Sequence, residues 1–181
     1  MSPARWALAF AAATAAGGLG LVLRAADSGN DARPAAGLPD LYVESLYWES
    51  HGPGGRTVRR LRAQRLEQWP DEDTARLIEP RLEIRGDRDR RWLARAERGR
   101  LSADGRSLRL EQEVSLRPHP DSGGLRVTAE RLHITADGDF VETDAPVVLE
   151  SGNWHFSAGG LRVDLSRRRV ELLDRVEGIH D

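Results

Sequence analysis

The stretch Ala96-Glu97-Arg98-Gly99-Arg100-Leu101-Ser102-Ala103-Asp104-Gly105 returns without a gap as Ala129-Glu130-Arg131-Leu132-His133-Ile134-Thr135-Ala136-Asp137-Gly138, at an offset of 33 residues. The correspondence runs on into Val114/Val147 and Leu116/Leu149. Ala63-Gln64-Arg65-Leu66 stands 33 residues before Ala96, and Ala158-Gly159-Gly160-Leu161 stands 29 after Ala129, so the chain holds four copies. In each, a strand-like stretch leads into the alanine, a turn follows, and a second alternating stretch returns. The turns are Pro70-Asp71-Glu72-Asp73, Ala103-Asp104-Gly105, Ala136-Asp137-Gly138 and Ser166-Arg167-Arg168. Asp-Gly between alternating apolar runs is a strong hairpin signal. The copies are therefore antiparallel hairpins, and the fold class is all-β.

The apolar phase inside each copy locates a bend. Leu61 and Ala63, then Trp92, Ala94 and Ala96, then Leu125, Val127 and Ala129, then Phe156 and Ala158 keep period two up to the alanine. Beyond it the phase flips to Leu66, to Gly99 and Leu101, to Leu132 and Ile134, and to Leu161, Val163 and Leu165. A slip of one residue turns side chains to the opposite face, so a recurrent slip marks a bulge or a corner between sheets. The return strands are more regular: Leu108, Leu110, Val114 and Leu116; Val141, Ala145, Val147 and Leu149; Val170, Leu172 and Val176. Stacked hairpins with a repeated corner predict a curved, two-layer, jelly-roll-like sheet over residues 39–181, open at both ends. By phase its inner face includes Leu61, Ala63, Trp92, Ala96, Leu110, Val114, Val127, Ala129, Val147, Phe156 and Ala158. Such a face serves equally as ordinary core or as a lining for apolar cargo. The first strand carries Leu41, Tyr42, Val43 and Leu46 and contains no proline or basic residue; the last carries Val170, Leu172, Val176 and Ile179. Both are candidate edges for strand addition by a partner.

Outside the repeat, residues 6–23 contain no charge and are rich in Ala, Leu and Gly. As a helix they would extend about 27 Å at 1.5 Å per residue, enough to cross the hydrocarbon core of a bilayer. A cleaved signal peptide is the rival, but Leu23 would sit at a position of the cleavage site that favours a small residue. Residues 6–23 are thus read as an uncleaved single-pass anchor, with residues 1–5 cytoplasmic and 24–38 a linker, the bias resting on Arg5 before the segment and Asp27 and Asp31 after it.

Composition narrows the function. The 181 residues hold 27 arginines and no lysine against 29 acidic residues, a formal charge of -2. Arginine and carboxylate alternate along the chain, unlike the cationic surplus of a nucleic-acid protein. The absence of cysteine removes disulfides, thiolate metal sites, a cysteine nucleophile and a lipid-modified N-terminal cysteine. His51, His119, His133, His155 and His180 are dispersed, without metal-site spacing. Asp71-Glu72-Asp73 and Asp87-Arg88-Asp89 lack the ligand series of a calcium loop, and Glu111/Glu113 and Glu142/Asp144 read as solvated strand faces. Gly17-Gly18-Leu19-Gly20 lies inside the apolar run rather than between a strand and a helix. Neither a cofactor, a metal nor an enzymatic reaction is called for; an enzyme acting on envelope glycans is the weakest of the readings.

Taken in order, the N-terminal apolar segment, Pro39-Asp40-Leu41-Tyr42-Val43-Glu44, Ala63-Gln64-Arg65-Leu66-Glu67-Gln68-Trp69-Pro70-Asp71, Ala96-Glu97-Arg98-Gly99, Glu142-Thr143-Asp144-Ala145-Pro146-Val147 and Leu172-Leu173-Asp174-Arg175-Val176-Glu177-Gly178 resemble the LptC family of lipopolysaccharide export proteins. The resemblance implies an inner-membrane, single-pass protein of Gram-negative bacteria with a periplasmic β-jellyroll that opens as a V. It further implies that lipopolysaccharide is received from the ABC transporter subunits LptF and LptG with the LptB ATPase. It is then passed to the periplasmic bridge protein LptA, the N-terminal edge pairing with the transporter and the C-terminal edge with LptA. A structural scaffold that joins envelope subunits without carrying lipid is the alternative.

Overall fold

Period-two alternation buries one face of an extended chain and wets the other, so these residues form strands. The computed structural model describes residues 39–52, 57–70, 72–85, 91–119, 124–135, 140–165, 167 and 169–180. Among them are β1 (Leu41–His51), β2 (Thr57–Gln68), β3 (Thr74–Ile78), β4 (Arg81–Arg85), β5 (Arg91–Arg95), β6 (Arg98–Ser102) and β7 (Ser107–His119). There follow β8 (Leu125–Thr135), β9 (Phe140–Thr143), β10 (Val147–Ser151), β11 (Trp154–Ala158), β12 (Gly160–Asp164), β13 (Arg169–Leu173) and β14 (Glu177–His180). The described residues contain no helix, and the expected anchor at 6–23, the cytoplasmic residues 1–5 and the linker 24–38 lie outside them. The turn at Ala136-Asp137-Gly138 also lies outside, whereas at Ala103-Asp104-Gly105 the turn closes through Gly105 N–H to Ser102 O at 2.8 Å.

The strands group along the chain into spans: β1, β2, β3 with β4, β5 with β6, β7, β8, β9 with β10, β11 with β12, and β13 with β14. Every pairing is antiparallel and joins one span to the next, giving one continuous sheet. The topology is therefore a meander. This is the stack of antiparallel hairpins expected from the repeat: among the described strands, neighbours are linked in order, without Greek-key crossings.

Each span bends midway, and the row of bends divides the sheet in two. The first sheet holds 41–44 of β1, 65–68 of β2, β3, β6, 107–111 of β7, 131–135 of β8, β9, β12 and β13. The second holds the other ends of β1, β2, β7 and β8 with β4, β5, β10, β11 and β14. On outgoing spans the bend is the phase slip read from the sequence: Leu61 and Ala63 then Leu66, and Val127 then Leu132, are buried in turn. Four of the five returning spans turn through left-handed residues, Ser45 (φ 54°), Glu79 (φ 49°), Gln112 (φ 66°) with Glu113 (φ 50°), and Asp174 (φ 56°) with Arg175 (φ 42°); the span of β9 and β10 turns at Asp144-Ala145-Pro146 without one.

Corners are bonded to corners. Glu79 N–H donates to Glu97 O at 2.8 Å, Glu97 N–H to Gln112 O at 3.0 Å, and Gly159 N–H to Asp174 O at 2.7 Å. At the last corner a Cβ on Gly160 would lie 2.9 Å from the Thr143 carbonyl oxygen, so only glycine lets these backbones approach. The stretch expected as one terminal strand from Val170 to Ile179 is divided here: β13 carries Val170 and Leu172, β14 carries Ile179, and Val176 belongs to neither. A span that changes sheets has to break its ladder at the corner.

Inside the fold, Leu77, Leu110, Leu116, Leu132, Leu161, Val114 and Val141 are at most 1% exposed and belong to one core cluster drawn from both sheets. The left-handed turn at Gln112 predicts that Gln112→Val lowers stability by about 1–2 kcal/mol, because a β-branched residue resists that backbone. Gln112→Gly should leave the urea midpoint equal or higher; equal losses in both variants would refute the role given to this corner.

Candidate functional site

The enclosed apolar face and the two ends of the meander are the features with functional content. All eleven inner-face positions predicted by phase reach the interior. Leu61, Ala63, Leu110, Val114, Val127, Val147 and Ala158 are buried within the core cluster, and Trp92, Ala96, Ala129 and Phe156 are half-buried against it. The four alanines that end the leading strands, Ala63, Ala96, Ala129 and Ala158, lie beside the corners, where small side chains let the sheets come together.

Exposure rises away from the corners, and it does so unequally. In the second sheet Val127 is 2% exposed and Leu125 half-buried, while Ala158 at 6% gives way to half-buried Phe156 and to Trp154 at 47%. In the first sheet the outlying residues Leu108, Ile134, Val163 and Leu165 stay within 5%. The apolar interior is thus closed over the middle strands of the first sheet, with Leu101 half-buried and Leu41 and Val170 on its end strands 41% exposed, and it opens along the rim of the second, where Trp92, Leu125 and Trp154 stand. Leu125 and Trp154 were not among the predicted residues, although Trp154 continues the period of Phe156 and Ala158 and was legible on that ground.

Aromatic contacts build this rim at its C-terminal end. Trp154 stacks on Phe156 with ring centroids 5.7 Å apart, and His180 meets Trp154 edge-on at 4.5 Å. Gly178 pairs with Phe156, and a Cβ there would fall 2.8 Å from the ring, so the ring lies flat on the glycine and holds β14 in place.

Two strand sets end the sheet. Among the described residues β1 pairs only with β2, β13 only with β12, and β14 only with β11. Leu41, Tyr42, Val43 and Leu46 therefore sit on one edge strand, Val170 and Leu172 on a second, and Ile179, 66% exposed, on a third. The solvent side of β1 is fastened to its neighbour. Arg65 lies 5.1 Å from the Tyr42 ring centroid, Arg62 lies 5.3 Å from that of Tyr47, and Arg60 Nε donates to Glu49 at 2.7 Å. The Tyr47 hydroxyl and Arg60 together hold the Glu49 carboxyl below its ordinary pKa, and the Glu44 carboxylate raises that of the Tyr42 hydroxyl. These contacts fix β1 from one side, and among the described residues its far edge pairs with no other strand.

An open groove of about 800 Å³ also lies on the outer face of the first sheet, lined in part by Arg109, Arg131, His133, Glu142, Asp144 and Arg162. Its charges are matched, with Arg131–Asp144 at 3.1 Å and Arg162–Glu142 at 3.6 Å. Among the described residues no group of His, Asp or Glu is arranged to hold a metal ion.

The fold is similar to that of a solved protein, LptH from Pseudomonas aeruginosa, described as the LptA homologous periplasmic component of the conserved lipopolysaccharide transport device. The TM-score is 0.53 at 11% identity, covering 68% of this chain and 94% of that one. That likeness defines the class: an antiparallel, all-β protein of the LptA-like kind. The sequence then places it within a family, for the model described as "Lipopolysaccharide-assembly, LptC-related" matches residues 8–181, and the chain belongs to the LptC family. No curated protein matches it in sequence. Its role accordingly lies in lipopolysaccharide transport.

The seating of Phe156 on Gly178 predicts that Gly178→Val detaches β14. The emission of Trp154 should shift to the red and protease should trim the C-terminus faster, with a loss of about 1–3 kcal/mol for the forced repacking. Unchanged emission and trimming would show that the ring does not hold the strand.

Proposed function

We propose that this protein is a membrane-tethered conduit for lipopolysaccharide, whose acyl chains enter between the sheets through the open rim of the second sheet. The observation that carries this reading is the graded burial of the inner face, from Ala158 at 6% to Trp154 at 47% exposed, with Phe156 between them. Each methylene taken out of water is worth about 0.8 kcal/mol, so an apolar cleft holds a many-chained lipid strongly without any polar recognition. Leu110, Leu116 and Leu132 are fully buried against their neighbours, so admitting a chain requires the sheets to part about the row of corners.

On this reading residues 6–23 anchor the chain once in the inner membrane, with the N-terminus in the cytoplasm and the sheet in the periplasm. LptF and LptG, driven by LptB, supply the lipid, and LptA accepts it. The edge at β1 adds to the transporter and the edge at β14 to LptA, so that the apolar interiors of successive proteins join. The likeness to an LptA-type fold supports this, because similar sheets present matching edges. The close packing of Leu110 and Leu116 favours one second reading, a scaffold that joins subunits through its edges and carries no lipid.

A photo-crosslinking residue at Val127 or Phe156 in the full chain, activated in living cells, should give a lipopolysaccharide adduct, and one at the outward Arg126 should not. Absence of adduct at all three positions in folded, membrane-bound protein would overturn the conduit in favour of the scaffold. Removing residues 177–181 takes away β14 and should abolish pairing with LptA while association with the transporter persists; retained pairing would refute the assignment of that edge.

A further inference from the structure

Strand register gathers charges that the sequence disperses. Arg62 of β2 stands opposite Arg81 of β4, which stands opposite Arg95 of β5, all on the outer face of the second sheet. Like charges directly opposed on neighbouring strands destabilise a sheet. Among the described residues none of the three is ion-paired; Arg62 meets only the Tyr47 ring. Burial, then the charges of Arg81 and Arg117, lower the pKa of Arg95. Arg60, Arg85, Arg91 and Arg117 share this face by register, against the carboxylates of Glu49 and Glu83, in a chain whose formal charge is -2.

The face is also built rather than loose. Leu93 points outward by register, between Glu83 and Arg117, yet it is only 4% exposed and lies outside the core cluster. Residues flanking it on that face include Arg91 and Arg95, whose aliphatic stems cover apolar surface while their heads stay in water. The guanidinium groups are thereby carried on a common apolar footing.

We propose that this arginine face is a docking surface for the phosphate headgroups of an anionic lipid bilayer. Guanidinium binds phosphate with two parallel hydrogen bonds and keeps its charge, which suits a row made only of arginine. A bilayer is the occupant favoured because the linker at 24–38 spans at most about 50 Å when fully extended, which keeps the sheet near the membrane. This proximity rests on the single-pass anchor proposed for residues 6–23. Docking of this face would bring β2, β4, β5 and β7 against the membrane, with β11 beyond the contact, and direct the rim of the second sheet relative to the surface from which a lipid leaves.

The chain contains no cysteine, so Ser115→Cys, beside Arg95 in the same row, accepts a single spin label, and Ser157→Cys, farther along the sheet, serves as the control. The full chain is reconstituted in vesicles of phosphatidylcholine alone or of phosphatidylcholine with phosphatidylglycerol. In the anionic vesicles the label at 115 should be shielded severalfold from a neutral water-soluble relaxing agent. High salt, or the combined Arg62→Gln, Arg81→Gln and Arg95→Gln variant, should remove the shielding, with Arg95→Gln alone giving a partial loss. The label at 157 should not change. Equal exposure at 115 in both lipids, or shielding that survives the glutamine variants, would overturn the proposal. Flotation separates it from the tether: chain that fails to enter neutral vesicles yet floats with anionic ones in a salt-sensitive way supports the face and refutes the anchor.

Discussion

A strand can leave one sheet for another only by spoiling its own ladder, and here every span does so at the same level. The outgoing spans slip by a residue beside Ala63, Ala96, Ala129 and Ala158, while all the returning ones but that of β9 and β10 turn left-handed, at Ser45, Glu79, Gln112, Glu113, Asp174 and Arg175. Because the irregularities fall side by side, the bonds lost within spans are replaced by bonds between corners, such as Glu97 N–H to Gln112 O. The two apolar faces, the closed rim and the open one all follow from where that line runs. Were a single corner displaced, its span would present its apolar residues to water on one side of the displacement.

The outgoing bends were legible because an odd slip reverses the phase of the apolar residues. The returning bends were hidden: Leu110 to Val114 is an even step, so the pattern passes unbroken through Gln112 and Glu113, although these two residues are the ones strained. The same parity joined Val170 and Leu172 to Val176 on paper, while in space Asp174 and Arg175 send their span to the other sheet. The eleven inner-face residues were recovered because phase decides which face of the sheet a side chain takes. Relative openness of the two sheets depends on how far they diverge, which period-two patterning does not encode.

Charge shows the same division between what lies along a chain and what lies across it. Arginine and carboxylate alternate in sequence and read as a balanced, solvated exterior. Register then sorts them: the first sheet's outer groove pairs Arg131 with Asp144 and Arg162 with Glu142, whereas the second aligns Arg62, Arg81 and Arg95. A nearly neutral chain thus acquires two unlike exteriors over one apolar interior.

In a meander each span leans only on its neighbours, so cooperativity passes along the stack as in a row of dominoes rather than through a central keystone. Fraying then begins at the ends and travels inward, and the terminal span is poorly defended, being split into the short strands β13 and β14. A strand added there would serve as a cap as well as a partner. Occupancy of one end raises the stability of the next span and of those behind it, with an influence that fades over successive spans, so that assembly itself anneals the sheet.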